Sequence, residues 1–403
     1  MSAAYVVHSL LRDMIKPLVP RFLRVRFVRF LCLAALSGML YCSSQNSWAQ
    51  DQQPQADSTT QETSAKSESS KGAIVGAPIP ISSPAIGSGA VPVAAYIFPF
   101  SKNDQESPPS VIGVAGLLTN NGSRGFALGG DFYLKQNRIH MTSIYFRGNL
   151  NYDFYGVGVD SGDSGGRLPL KQTGQVFFGE FLYRIGWKFF FGPRILTGNS
   201  TLTLRPNDGS SLPPPPDISL NTALTGIGFR LNRDTRPNRF YPTRGTFFDF
   251  NSTFFGESLG SKYTFQSYRT TFNAYRSFGD SQVLAYNLFV CATGGDAPFY
   301  AECIYGTNNQ LRGYVAGQHI DRYMVATQAE YRLTLPWRFG AVFFGGLGAV
   351  APSVANFRYR NILPAGGGGI RFKLSKKYNV NLRVDIAQGR DGHTFSMGIG
   401  EAF

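Results

Sequence analysis

The chain has 403 residues and a formal net charge of +14, and it contains 34 Phe, 20 Tyr and 46 Gly but only 16% charged residues. Mean hydropathy is -0.12, and no stretch reaches the roughly 18 consecutive apolar residues of a membrane-spanning helix, which excludes a helical membrane protein. After residue 49 the basic residues are dispersed along the sequence, so the net positive charge does not indicate nucleic-acid binding. We expect no nucleic-acid partner.

Residues 1–49 are predicted to be a cleavable signal peptide. Basic residues from Arg12 to Arg29 precede an apolar run from Phe30 to Cys42, and a small-x-small cleavage site ends at Ala49. The apolar run is too short to cross about 30 Å of hydrocarbon. Met14 is an alternative start of translation.

Residues 50–86 are predicted to be a disordered or extended tether. The segment from Gln50 to Lys71 is mostly Gln, Ser, Thr, Glu and Asp without an aromatic side chain, a composition that cannot bury a core. Pro78, Pro80 and Pro84 then indicate an extended lead-in to the next segment.

Residues 87–403 are predicted to form one all-β domain, a transmembrane antiparallel β-barrel with a long inward-folding loop. β-Prone segments alternate with turn residues throughout this region, which is typical of such barrels. Fifteen segments follow the pattern: 89–99, 111–119, 123–134, 138–151, 171–184, 187–204, 218–232, 245–256, 263–278, 281–293, 324–335, 338–350, 364–374, 379–389 and 393–403. A single-chain bacterial barrel needs an even number, and a short strand around 154–160 gives sixteen.

Two of these segments predict which face is turned inward. In 379–389 the polar positions, among them Arg383 and Asp385, alternate with Val380, Leu382, Val384 and Ile386. In 324–335 Gln328, Glu330, Arg332 and Thr334 alternate in the same way with apolar residues. Charge inside and apolar side chains outside is the arrangement of a membrane barrel, whereas a small soluble barrel encloses its apolar face.

The C-terminal segment predicts location and assembly. Phe395, Met397, Ile399 and Phe403 fall on one face, which resembles the C-terminal signal by which outer-membrane barrels are recognised. Glu401 departs from this pattern, and we interpret it as an interfacial residue that reaches the lipid headgroups. We therefore expect the chain to reside in the bacterial outer membrane, in contact with its lipids, after assembly by the cell's own barrel-assembly machinery.

Four motifs resemble those of the BamA/TamA-type family of outer-membrane assembly barrels, also called bacterial surface-antigen barrels. The most specific runs from Arg233 through Gly245 and is similar to the family's periplasmic turn, with Asp234, Arg236, Pro242 and Gly245 as its characteristic residues. Prolines and glycine suit a tight turn, and the charged residues can bridge across it. The segments 154–158 and 400–403 are weaker matches.

The remaining motif, Leu311-Arg312-Gly313-Tyr314, is similar to the family's signature in the loop that folds back into the lumen. The resemblance implies that Arg312 docks on acidic groups of the barrel wall. Glu330 and Asp385 lie on inward faces of later strands, so we expect Arg312 to pair with Asp385, with Glu330 nearby.

The resemblance implies that the chain helps insert or translocate polypeptides or lipids at the outer membrane. Family members usually carry periplasmic POTRA modules, and residues 50–86 are too short for one, so a short member without them is expected. A passive pore or structural barrel without client activity remains an alternative hypothesis.

A third hypothesis is a barrel hydrolase that uses Ser164. Residues 162–166 match the G-x-S-x-G pattern, but they lie in a Gly/Asp/Ser loop without the strand-turn-helix context that this motif needs. His140, His319 and His393 have no metal-ligand spacing. We therefore expect no catalytic residue, no metal and no cofactor, and we do not expect an enzyme.

Cys291 and Cys303 are predicted to form a disulfide. They flank an apparent loop, and export places them in an oxidising compartment where a pair of thiols normally becomes oxidised. Two free thiols remain the alternative, because sequence alone does not give the distance between the two Cα atoms.

Overall fold

The structure is a computed structural model that describes residues 72–83, 85–101, 103–104, 106–158, 167–205, 219–306, 311–375 and 379–403. The predicted signal peptide, residues 50–71 of the predicted tether and Ser164 lie outside these residues.

Sixteen antiparallel strands close into one barrel, in which β18 returns to pair with β1. The barrel strands are β1 (Ala73–Ser83), β2 (Gly87–Phe98), β3 (Ser110–Thr119), β4 (Arg124–Leu134), β5 (Ile139–Phe154), β6 (Leu168–Gly186), β7 (Phe189–Leu204), β8 (Ser219–Asp234), β9 (Gly245–Phe255), β10 (Phe265–Phe278), β11 (Gln282–Gly295), β14 (Tyr323–Thr334), β15 (Phe339–Ala351), β16 (Leu363–Ser375), β17 (Val380–Gly389) and β18 (Gly392–Ile399). The predicted all-β transmembrane barrel of sixteen strands is confirmed.

The connection between β11 and β14 is the predicted long loop, and it contains the two-residue strands β12 (Cys303–Ile304) and β13 (Ile320–Asp321), which pair with each other. We call residues 296–322 the lumen loop. Within the described ranges, four short 3-10 helices lie in the connections, at Glu257–Leu259, Phe299–Ala301, Val354–Asn356 and Tyr359–Asn361. In the described part of the chain, no helix has the length and apolar character required to cross a membrane.

The alternation predicted for the late strands is confirmed. Glu330 and Asp385 are buried inside the barrel, whereas Ile386, the neighbour of Asp385 in the chain, is 62% exposed on the outside. Outward side chains of the other strands are likewise large and apolar, for example Phe126 and Phe343. The outer wall therefore suits lipid, and the charged side chains are gathered in the lumen.

The predicted start of the barrel at residue 87 is wrong. Residues 73–83, assigned to the tether, form β1 and pair with β2 over their whole length, from Ala73 opposite Ile97 to Ser83 opposite Gly87. The polar/apolar alternation that identified the other strands is missing here, because Ile79 faces the lumen and prolines at 78 and 80 face outward.

The sixteenth strand was consequently predicted in the wrong place. It was expected around 154–160, but β5 already ends at Phe154. Beyond it, Gly158 makes a single bridge to Ile320 of the lumen loop, and residues 159–160 lie outside the described ranges. The count of sixteen is right because β1 takes the place of that segment.

The closed barrel predicts heat-modifiable migration. In the folded barrel nearly every strand edge is paired, so we expect the unheated protein in detergent to migrate faster on a gel than the boiled protein. Identical migration of the two samples, or recovery of the protein in the soluble periplasmic fraction, would contradict a closed membrane barrel.

Candidate functional site in the barrel lumen and at its seam

The lumen loop is attached to the barrel wall by a covalent bond and by packing. Cys303 of the loop is joined by a disulfide to Cys291 of β11, with the two Cα atoms 5.8 Å apart. Beyond it, loop residues pack against the inward side chains of neighbouring strands, forming a cluster of Phe289, Cys291, Cys303, Tyr305, Leu311, Tyr314, Met324, Ala326, Val350 and Leu363. These residues of the loop therefore fill part of the lumen.

Arg312, in this loop, is held by two carboxylates of the barrel wall. Its Nη1 donates to Asp385 Oδ2 at 2.7 Å, and its Nη2 donates to Glu330 Oε2. The guanidinium carbon lies 3.4 Å from the centre of the Phe344 ring, and Nε donates to Gln328 Oε1 at 3.4 Å. A buried guanidinium thus has charged partners on one side and an aromatic face on another.

The two carboxylates also bind arginines of the wall, so that a network of ion pairs extends from Arg312. Glu330 Oε1 accepts from Arg332 Nε at 2.7 Å, and Asp385 Oδ1 accepts from Arg371 Nη1 at 2.6 Å. Arg371 Nε in turn donates to Glu401 Oε2 at 2.7 Å. We call Arg312, Glu330, Arg332, Arg371, Asp385 and Glu401 the lumen network.

Glycine makes room for the loop against the wall. Gly313 has φ of +115°, and a Cβ there would lie 3.0 Å from the backbone nitrogen of Gly389. A Cβ on Gly348 of β15 would lie 2.0 Å from the Tyr305 hydroxyl. A residue other than glycine at 313 would therefore be strained, because φ lies in the left-handed region and its Cβ would press on the backbone at Gly389.

The second predicted motif forms the connection between β8 and β9. Asp234 accepts two hydrogen bonds from the Arg236 side chain, both at 2.9 Å. Gly245 has φ of +92°, and a Cβ there would lie 2.6 Å from the backbone oxygen of Thr235. The carbonyl of Pro242 accepts from Arg332 Nη1 at 3.3 Å, so the turn contacts the lumen network.

The C-terminal residues depart from the sequence prediction. Phe395 is exposed on the outer face of β18, but the strand ends at Ile399, and Gly400 with φ of +83° redirects the chain. The carbonyl oxygen of Phe403 then accepts from Arg332 Nη2 at 2.8 Å. The prediction that Phe403 shares the outer face with Phe395, Met397 and Ile399 is therefore wrong.

The prediction for Glu401 is also wrong. Its side chain is only 1% exposed and accepts from Arg371 Nε and from Asn381 Nδ2, each at 2.7 Å. The φ angle at Gly400 directs the carboxylate into the lumen, where arginines compensate its charge, and not toward lipid headgroups.

The contact between the first and last strands, here called the seam, is short. Among the described residues, β1 and β18 are joined by one residue pair, Ser82 opposite Met397. Adjacent strands such as β17 and β18 form eight pairs, and β1 and β2 form eleven. Ser82 is near the end of β1 and Met397 is near the end of β18, so the two strands overlap over only a few residues.

Prolines reduce the pairing of the seam further. Pro78 of β1 lies opposite Pro92 of β2, and two residues without N–H groups cannot form a hydrogen-bonded pair, so their backbone nitrogens point away from each other. Pro78, and with it Pro80 two residues later, therefore presents its nitrogen to the seam. Of the seam-facing residues from 78 to 82, only Ser82 has an N–H to donate.

A cavity of about 400 Å³ lies in the lumen beside the seam. One part of its lining is apolar and comes from β1 and β2, with Ile79, Ile81, Val91 and Val93. Another part is charged and includes Glu180, Arg230 and Glu401, and Ile399 of β18 completes the side at the seam. The cavity is thus amphipathic, and both seam strands border it.

The structure brings some of the predicted site residues together and separates others. Arg312, Glu330 and Asp385 meet, and the turn motif approaches them through Pro242. The sequence analysis missed Arg332, Arg371 and Glu401 as members of the network. The sequence could have revealed Arg332 and Arg371, because each lies at one of the alternate positions of its strand whose side chains face the lumen.

Comparisons with known proteins agree with this architecture. Residues 207–403 match the Omp85 superfamily domain. A structure of BamA from Haemophilus ducreyi that lacks POTRA domains 1–3 is similar with a TM-score of 0.55 at 15% identity, over 82% of this chain and 70% of that one. No curated protein matches the sequence.

Two structures of CdiB are also similar. The one from Acinetobacter baumannii gives a TM-score of 0.51 at 11% identity, over 81% of this chain and 59% of that chain. The one from Escherichia coli gives 0.53 at 10% identity, over 81% and 62%. This chain therefore spans less than two thirds of either CdiB chain, and the likeness concerns the fold.

Removal of Arg312 is expected to destabilise the barrel. Arg312→Ala leaves two buried carboxylates with less compensation, so we expect a loss of about 3 kcal/mol in the free energy of unfolding. Asp385→Ala should cost a similar amount, and the double variant should be little worse than either single one. Urea titration of the heat-modifiable fraction measures these values.

The control for this series is Arg358→Ala, at an exposed arginine between two 3-10 helices, which should change stability by less than about 0.5 kcal/mol. Fully additive losses in the Arg312→Ala/Asp385→Ala variant would show that the two residues do not act as a pair.

The disulfide is expected to stabilise the attachment of the lumen loop. Cys291 and Cys303 are 12 residues apart, and closure of a ring of this size contributes about 3 kcal/mol, which the Cys291→Ser/Cys303→Ser variant should lose. Mass spectrometry of unreduced peptides from the exported protein tests the bond directly. Two free thiols in that sample would refute it.

Proposed function

We propose that this chain is a member of the Omp85 superfamily that resides in the bacterial outer membrane and helps insert or translocate polypeptides there by opening its seam. Outer-membrane lipid would surround it, and its clients would be polypeptide chains or, in the broader form of the proposal, lipids. The observation that carries the proposal is the single residue pair between β1 and β18.

The energetic argument compares the seam with an ordinary strand boundary. In hydrocarbon an unpaired backbone group costs several kcal/mol, so the separation of two fully paired strands is prohibitive. Among the described residues, separation of β1 from β18 breaks one pair of the strand ladder, Ser82 opposite Met397. The barrel can therefore open at this place at far lower cost than at any boundary with eight or more pairs.

The cavity supports the same proposal. It lies next to the seam and has both apolar and charged lining, so a segment that leaves the lumen for lipid could keep polar groups inside and apolar groups outside. The lumen network holds the β18 side of the seam in place through paired charges, while β1, on the other side, contributes apolar residues such as Ile79. Movement of β1 would not leave a charge of β1 unpaired.

A covalently closed seam is expected to abolish the activity. In liposomes, the protein should accelerate the folding of a urea-unfolded eight-stranded outer-membrane barrel, measured by the client's own heat-modifiable migration. The oxidised Ser82→Cys/Met397→Cys variant should reduce the rate to that of protein-free liposomes, because its seam cannot open. Reduction with dithiothreitol should restore the rate.

The matched control is Thr327→Cys/Leu347→Cys, which links a directly opposed pair of β14 and β15 far from the seam and should stay active in either redox state. Steady conductance without any effect on client folding would favour the passive pore instead. Loss of a hydrolytic activity in the Ser164→Ala variant would support the hypothesis of a barrel hydrolase that uses Ser164.

A further inference from the structure

We infer that the outer wall of the barrel has a binding site for a phosphorylated glycolipid of the outer leaflet, at the extracellular ends of β4 to β8. This inference rests on the outer-membrane location in the proposed function, and it does not depend on client insertion. It assigns one class of lipid to one surface of the wall, where the proposed function requires only that lipid surrounds the barrel.

Strands β5 to β8 are long enough to continue beyond the membrane. They have 16 to 19 residues, whereas the other barrel strands have 8 to 14. On the outer face of β6, exposed apolar side chains extend from Phe177 to Ile185, and Trp187 follows in the turn. From Phe177 to Trp187 the chain rises about 25 Å across the membrane, at about 3.3 Å per residue and a tilt of about 40°. This height equals that of the apolar band of such barrels, so the residues before Phe177 lie at the level of the lipid headgroups.

The end of the barrel beyond Phe177 is the extracellular one. Membrane barrels have short turns on the periplasmic side and longer loops on the extracellular side. The turn that follows β6 consists of residues 187–188, whereas the connection that precedes β6 consists of residues 155–167. The first residues of β6 therefore lie in the outer leaflet or above it.

The outer face becomes polar at this level across five neighbouring strands. Directly opposed residues of adjacent strands share a face, so the register aligns one outward residue from each strand. We call these residues the polar row: Arg124, Asn149, Thr173, Thr201 and Asn221. With neighbouring strands about 4.8 Å apart, the polar row is about 20 Å wide. In the next row toward the membrane, Arg147 lies opposite Gln175.

The basic side chains of this surface have no acidic partner. Arg124, Arg147 and Lys171 are exposed, and within the described part of the chain none of them has a carboxylate at ion-pair distance. Asp153 of β5 pairs instead with two other arginines, at 3.4 and 3.6 Å. Cations without partners directly above an apolar band attract anionic lipid headgroups. Arginine in particular binds phosphate through two parallel hydrogen bonds.

The uncharged side chains indicate that the headgroup contains sugar. A groove of about 580 Å³ lies on the same surface, and its lining includes Thr173, Asn199, Thr201, Asn221 and Lys262. Hydroxyl and amide groups both donate and accept hydrogen bonds, as the hydroxyl groups of a sugar do. A lipid with a phosphorylated sugar headgroup therefore matches the polar row, and its acyl chains match the apolar band that begins at Phe177.

Lipid binding by the purified exported protein tests the inference. The probe is diphosphoryl lipid A, an acylated glucosamine disaccharide, which is titrated into the detergent-solubilised protein and measured as bound lipid by native mass spectrometry. Arg124→Gln/Arg147→Gln should weaken binding about 25-fold, because each basic residue at an anionic lipid surface contributes about a fivefold factor. Lys171→Gln alone should weaken binding about fivefold.

The matched control is Lys188→Gln/Arg276→Gln, which removes two exposed basic residues at the periplasmic end and should leave binding unchanged. Heat-modifiable migration shows that each variant is folded. Weakening by the control to the same extent as by Arg124→Gln/Arg147→Gln would overturn the inference, as would no binding of lipid A to the unaltered protein.

Two further ligands test the class of lipid. Dioleoylphosphatidylglycerol should bind at least about tenfold more weakly than lipid A, the factor that one to two hydrogen bonds to sugar give. Equal binding would overturn the assignment to a glycolipid. Inorganic phosphate at the concentration of the lipid should not displace lipid A, and displacement would also overturn the inference. Binding of lipid A by a protein that does not accelerate client folding would support this inference and overturn only client insertion.

Discussion

Backbone amides in hydrocarbon have no water to bond, and the strand pairing of this barrel is arranged around that constraint. Fifteen of the sixteen strand boundaries satisfy it with ladders of eight pairs or more, and the seam satisfies it least, with Ser82 opposite Met397. Prolines in β1 make this exception permanent, because no change of register supplies the missing N–H groups. The amino-acid sequence of β1 therefore keeps its pairing with β18 weak.

The lumen satisfies a different constraint, the cost of burying charge. Arg312 enters on a loop that is fixed by a disulfide and by packing, and it meets Asp385 and Glu330 on the wall. Because Arg371 joins Asp385 to Glu401, the same network holds the residues that follow β18. The loop and the end of the last seam strand thus belong to one electrostatic unit, in which loss of one member leaves others uncompensated.

The alternation of polar and apolar residues predicted the strands that have one polar and one apolar face. It did not predict β1, whose two faces do not differ in this way. Alternation located fifteen strands and the inward positions of Glu330 and Asp385, but β1 has prolines outward and Ile79 inward, and so resembled a linker. The network beyond Arg312 depends on cross-strand register, which periodicity within one strand does not contain. The inward turn of Glu401 depends on one φ angle at Gly400.

The position of Phe403 has a practical consequence for handling the protein. Its backbone oxygen accepts a hydrogen bond from Arg332, beside the turn that contains Pro242. A tag fused directly after Phe403 would have to pass Arg332, which is almost completely buried. Purification tags therefore belong on an exposed connection such as residues 352–362.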